Sequence, residues 1–172
     1  MERAAWQGNV RRRGMIARML SRLENRIPPP ILMLVCVAFA WGLAENGIGT
    51  LPSAAWLRPS GFIIAMLGLA LNLVPKLQFR RSQTTVNPLA PERASHLVTG
   101  GIYRYTRNPM YLGQACLVLG WALWLQLATA FLPVAVFVVY ITYLQILPEE
   151  RVLSRKFPAA FEQMRHRTRR WL

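Results

Sequence analysis

The chain has no aspartate, and only seven acidic residues stand against 21 Lys and Arg among its 172 residues. It has two histidines, His96 and His166, and two cysteines, Cys36 and Cys116, each cysteine inside an apolar run. Metal-dependent hydrolysis and Ser-His-Asp chemistry therefore lack their parts, and no metal site is expected. Two isolated cysteines in apolar surroundings read as small core residues, not a disulfide framework. A Gly-x-Gly-x-x-Gly run, the usual dinucleotide-binding loop, is also missing.

What the chain has is hydrophobic mass in blocks. Hydrophobic residues make up 53% of it. Uncharged runs of 18, 17 and 41 residues lie between Arg26 and Glu45, between Arg58 and Lys76, and between Arg107 and Glu149. A helix rises about 1.5 Å per residue and a bilayer core is about 30 Å thick, so the first two runs span once and the third spans twice. The expected fold is all-α and polytopic, with about four transmembrane helices, a helical hairpin and a C-terminal amphipathic helix. The chain reads as a single membrane domain. A basic interfacial segment (1–27) leads to spans one and two (28–78), a cytoplasmic loop (79–109), the span three–four hairpin (110–148) and a C-terminal interfacial helix (149–172).

Net charge is +14. In the four-span arrangement every Lys and Arg except Arg58 falls on one side, the positive-inside pattern with both termini cytoplasmic. The excess is then topology and attraction to anionic membrane lipid, and nucleic acid is not an expected partner. No cleavable signal peptide is evident in the long basic leader. Met15, Ile16, Met19, Leu20 and Leu23 lie at helical spacing against its arginines. At the other end, Leu153, Phe157, Phe161, Met164, Thr168 and Trp171 form a second stripe that predicts a helix lying on the membrane, bent at Pro158 and serving as lid or anchor. Asn72 and Pro75 sit near the cytoplasmic end of the second span, where an amide faces protein or a water-filled cavity.

Three glycines, three tyrosines, two arginines and an Asn-Pro break crowd the stretch Leu97–Gly113, just ahead of the longest apolar run. Glycine lets backbone approach a ligand, and Pro109 suits the first turn of a helix whose unpaired N–H groups favour an anion. The plain alternative is a well-capped membrane entry with interfacial tyrosines and arginines. A hairpin would bring this stretch beside Glu149 and Glu150, with Tyr103, Arg104, Arg107 and Tyr111 around one ligand. Carboxylate, guanidinium and aromatic faces together suit S-adenosylmethionine. Methyl transfer needs neither metal nor protein nucleophile, only positioning and exclusion of water.

Leu97-Val98-Thr99-x-Gly101-x-Tyr103, then Arg107-Asn108-Pro109-x-Tyr111-x-Gly113, then Glu149-Glu150-x-x-Leu153-x-x-x-Phe157 resembles the isoprenylcysteine carboxyl methyltransferase family and the wider membrane phospholipid N-methyltransferase group. The likeness covers about Thr84 to Leu172. It implies a membrane enzyme using S-adenosylmethionine on a lipophilic or small thiol, carboxylate or amine acceptor. Carried over, Leu97, Val98, Gly101, Tyr103, Arg107, Asn108, Pro109, Tyr111, Glu149 and Glu150 bind the cofactor, with Arg107 and Glu150 catalytic. Asn108 replaces the histidine of the eukaryotic prenylcysteine enzymes, Pro158 replaces a glycine, and His96 lies one position off the family's histidine. These departures point to a bacterial relative, placed in the inner membrane, with a different acceptor. Two other functions compete: an NADPH-dependent sterol-reductase-like enzyme, and a non-enzymatic adaptor for anionic lipid.

Overall fold

The structure, a computed structural model, describes residues 23–51, 55–81 and 97–172. Among the described residues all regular structure is helical apart from two isolated β-bridges. The basic leader before Leu23, and His96, lie outside these residues.

Helix α1 spans Pro29–Glu45. Proline at its first turn wastes no hydrogen bond, because the N–H it lacks would have had no partner there. At its end the Asn46 amide donates to the Gly42 carbonyl (2.8 Å), and Gly47 takes a left-handed φ of 66°, letting the chain reverse. Helix α2 runs Leu57–Arg81, beyond both ends of the uncharged run between Arg58 and Lys76. Helix α3 is Pro109–Trp124. It stops because Gln126 adopts φ 58° and the Leu127 N–H turns back to the Ala122 carbonyl at 3.1 Å.

Helix α4, Phe131–Ile141, continues through a π-helical turn, Thr142–Ile146, into α5, Leu147–Lys156. Pro148 explains part of this irregularity. It has no N–H for the Leu144 carbonyl four residues back, and that carbonyl accepts instead from the Asn25 backbone at 3.0 Å. Phe157 leaves helical geometry before Pro158, and α6 covers Pro158–Arg167. Thr168 is extended (φ −132°, ψ 148°), so the expected helical stripe is cut before Thr168 and Trp171.

The core lies between α1, α3 and α4, where Leu32, Cys36, Ala115, Val118, Phe137 and Ile141 are buried. Helix α2 packs on α3 by close backbone approach. A Cβ on Gly61 would lie 2.5 Å from the Gly120 carbonyl oxygen, and one on Gly68 2.6 Å from that of Gly113. These reciprocal pairs, seven residues apart on each helix, make the crossing antiparallel, with small residues at the seam as in membrane bundles. At one end of the bundle the α1–α2 and α3–α4 connections join: Ala128 N–H donates to Gly49 O (2.6 Å) and Leu51 N–H to Gln126 O (2.8 Å). The opposite end collects the close of α2, the start of α3 and the π turn.

The outer face is apolar. Phe62, Ile63, Leu67, Phe131 and Val139 are each more than half exposed, which in water would be a large unpaid hydrophobic surface. Among the described residues two helices are long and apolar enough to cross a membrane, Leu57–Gln78 and Phe131–Lys156, fewer than the four expected. The difference is one of length. Helices α1 and α3 have 17 and 16 residues, about 25 Å each, because Asn46-Gly47 and Gln126 end them early.

Replacing Gly68 with Val should cost about 3 kcal/mol or more, since the obstructing atoms are backbone. Gly42→Ala in α1, where an added Cβ meets nothing within 4 Å, should gain about 0.5–1 kcal/mol. Thermal unfolding in detergent checks both, and a harmless Gly68→Val contradicts the crossing.

Candidate functional site

The α2–α3 crossing sets up the site. Beyond Gly68 and Gly113, the buried Asn72 amide donates to the Met110 carbonyl in the first turn of α3 (3.3 Å) and its oxygen accepts from Lys76 Nζ (2.8 Å). Asn72 thus faces protein, joining the end of α2 to the start of α3. Ahead of α3, a 3₁₀ turn at Gly101–Arg104 presses against α2. Gly101 has φ 60°, a left-handed backbone that strains other residues, and the Gln78 side-chain amide occupies the space a Cβ there would take.

The hairpin brings the two distant motifs together. Tyr111 Oη donates to Glu149 Oε1 (2.6 Å), and Gln145 Nε2 donates to the same oxygen (2.8 Å). Arg107 donates from Nε and Nη2 to Glu150 Oε1 (3.3 and 3.2 Å). Arg170 donates to both Glu150 oxygens, Nε to Oε1 at 3.2 Å and Nη2 to Oε2 at 2.7 Å. The two carboxylates therefore differ: Glu149 is held by neutral donors, Glu150 by two guanidinium groups. Tyr103 is buried next to Glu149; burial first, and that carboxylate second, push its phenol above its ordinary pKa. It remains protonated, a donor, at neutral pH.

The residues after α6 close one side. Thr168–Trp171 lies along 106–108, with Arg107 N–H donating to the Arg169 carbonyl at 3.0 Å and Asn108 Nδ2 to the Arg170 carbonyl at 2.9 Å. Trp171 Nε1 donates to Thr142 Oγ1 in the π turn (3.2 Å). Between this tail, α6 and the 3₁₀ turn is a cavity of about 370 Å³. Thr99, Gly100, Tyr103 and Arg104 line one side, and Gln163, Met164, Arg167 and Thr168 line the other. That volume suits a small-molecule ligand.

Of the residues read from sequence, Tyr103 lines the cavity, while Arg107, Asn108, Tyr111, Glu149 and Glu150 converge in the network beside it. Pro109 is buried at the start of α3, and Gly101 serves the contact with Gln78. Leu97 and Val98 are half-buried on the approach and do not line the cavity. Gln145, Thr168 and Arg170 were missed. Gln145 stands four residues before Glu149, one helical turn on the same face, so its spacing was a usable signal. Arg170 carried none, because its role arises from an extended tail. Among the described residues no group of three or more His, Cys, Asp or Glu could hold a metal ion.

A helical bundle with an apolar exterior and a ligand-sized cavity of mixed polar and apolar lining at one end fits a membrane-associated protein that binds a small molecule. The family model for phospholipid methyltransferases matches residues 56–160, from the start of α2 through the site into α6, and the chain belongs to that family. Its members are membrane methyltransferases and generally use S-adenosylmethionine. An uncharacterized protein of Haemophilus influenzae is 38% identical over 63 residues, 37% of this chain and the whole of that protein. No solved structure matches.

Tyr111→Phe removes the only donor that Tyr111 gives Glu149 and should cost about 1.5–3 kcal/mol, the range for hydrogen bonds to charged groups. Thermal unfolding of the detergent-purified variant measures it, and a loss well under 1 kcal/mol would show that this contact carries little.

Proposed function

We propose that this protein is an integral-membrane S-adenosylmethionine-dependent methyltransferase of the isoprenylcysteine carboxyl methyltransferase type. Its acceptor is a lipophilic molecule or a small thiol, carboxylate or amine that reaches the site from the bilayer. The observation that carries this is the meeting of Tyr103, Arg107 and Tyr111 with Glu149 and Glu150, about forty residues away in sequence, beside a cavity of ligand size.

The lining fits the cofactor chemically. Arg104 and Arg167 offer guanidinium groups to its carboxylate, and Tyr103 and Met164 offer apolar faces to its base. Gly100 leaves open space where a Cβ would stand. Glu149 places negative charge behind Tyr103, suited to a cationic donor. When bound, S-adenosylmethionine supplies an electrophilic methyl group. The chain's part is to orient the acceptor, exclude water and accept a proton from an amine or thiol nucleophile. Glu149, held by Tyr111 and Gln145, is the carboxylate assigned that proton, because Glu150 is already neutralised by Arg107 and Arg170.

All four bundle helices, α1 to α4, cross the membrane in this reading, with the site on the cytoplasmic side of a bacterial inner membrane. Flanking residues cover the shortfall of α1 and α3, as shorter spans commonly allow. Anionic lipid is the expected surface partner of the Arg-rich face.

Calorimetric titration of S-adenosylmethionine and, separately, NADPH into the purified protein decides between donors. Micromolar binding of S-adenosylmethionine alone, weakened at least tenfold by Glu149→Gln, is expected. NADPH binding alone would favour the reductase alternative, whose phosphates Arg104 and Arg167 also suit, and binding of neither by folded protein would favour the adaptor. For topology, Cys36→Ser/Cys116→Ala protein carrying Ala128→Cys should react with an impermeant thiol reagent from outside intact cells, and protein carrying Arg165→Cys should not. The reverse labelling would overturn the orientation.

A further inference from the structure

We propose that Arg170 is a positioning residue of this site: through Glu150 it fixes the tail Thr168–Trp171 as a wall of the cavity, so the last residues of the chain are part of the site. The binding half of the proposal rests on the methyl-donor reading, and the docking of the tail does not.

Three successive tail carbonyls are taken by one short stretch. Arg107 Nη1 donates to the Thr168 carbonyl and the Arg107 backbone to that of Arg169, while Thr106 Oγ1 and Asn108 Nδ2 donate to that of Arg170. A parallel bridge between Thr106 and Arg169 records the same register. The Arg170 guanidinium then turns back and spans both oxygens of Glu150, a fork geometry that lysine cannot reproduce.

Glu150 is only 15% exposed, Arg107 11% and Arg170 35%, so the cluster is shielded enough for its charges to matter. Hydrogen bonding to Glu150 raises the Arg170 pKa further above its ordinary value. Without the carboxylate, two guanidinium groups would face each other across the seam and repel. Glu150 is therefore the joint between helix α5, the start of α3 and the tail. Thr168 of the docked tail and Met164 and Arg167 of α6 form the far side of the cavity. The two adjacent glutamates differ in what they join: Glu149 binds Tyr111 and Gln145, and Glu150 binds the tail.

The test uses the full chain in detergent with Arg170→Gln, Glu150→Gln, the double variant, Arg170→Lys, and Arg165→Gln as a control on the surface of α6. Two quantities are read: hydrogen exchange of residues 161–172 without ligand, and the affinity for S-adenosylmethionine. Arg170→Gln and Glu150→Gln should each speed exchange of that segment at least tenfold while exchange in α1–α4 stays as in the parent. Each should weaken binding about tenfold, the double variant no further than either single one, and Arg170→Lys should recover part of both. Arg165→Gln should change neither. Unaltered exchange in Arg170→Gln, or effects that multiply in the double variant, would overturn the proposal. Faster exchange with unchanged affinity would also overturn it, by reducing the tail to a structural appendage. If the parent binds no S-adenosylmethionine, the methyl-donor reading fails, and the exchange results alone decide whether Arg170 docks the tail.

Discussion

The site depends on how closely two helices approach each other. Gly61 and Gly68 on α2 meet Gly120 and Gly113 on α3 with backbone against backbone, closer than any side chain would allow. Between helices surrounded by lipid there is no hydrophobic gain in meeting, so contact comes from packing that only small residues permit. Once the crossing is set, Asn72 reaches the Met110 carbonyl and Gln78 lies against Gly101. The polar stretch ahead of α3 is thereby held at the bundle end, although few of its own residues are buried.

A second constraint comes from the long helix opposite. Pro148 leaves the Leu144 carbonyl without its usual partner, and the π turn ahead of it carries Gln145, buried among apolar neighbours, in line with Glu149. Interruptions of this kind are costly in a plain span and recur where a helix must present polar groups. Here the interruption delivers a carboxylate to Tyr111 and a hydroxyl, Thr142, to Trp171 of the tail.

Electrostatics explains why so basic a chain concentrates its few acids here. Seven acidic residues serve the whole chain, and two of them are adjacent at the site. Arg107 and Arg170 hold one of them, and Arg104 and Arg167 line the neighbouring cavity, an arrangement able to recognise a ligand carrying both signs. Unequal partners give the two carboxylates unequal surroundings, one held by neutral donors and one by two guanidinium groups.

Much of this was legible in the residues alone. Uncharged runs bounded by arginine or glutamate announced the apolar helices. Pro28-Pro29-Pro30 and Asn108-Pro109 marked helix starts, and Asn46-Gly47 an end, because proline and glycine act locally through backbone dihedrals. The hairpin argument brought Arg107 and Tyr111 to Glu149 and Glu150, since a short turn between antiparallel helices leaves no other arrangement. What the tertiary structure decided was of longer range. The early end of α3 at Gln126 and the π turn arise from contacts with other segments, not from the local apolar pattern. The stripe from Leu153 to Trp171 kept helical spacing through Thr168 and Trp171, yet the tail is extended, because carbonyls there find better donors in Thr106, Arg107 and Asn108 than in their own helix. Hydropathy and spacing report what a segment can bury, and only the folded chain shows which distant donor reaches it first.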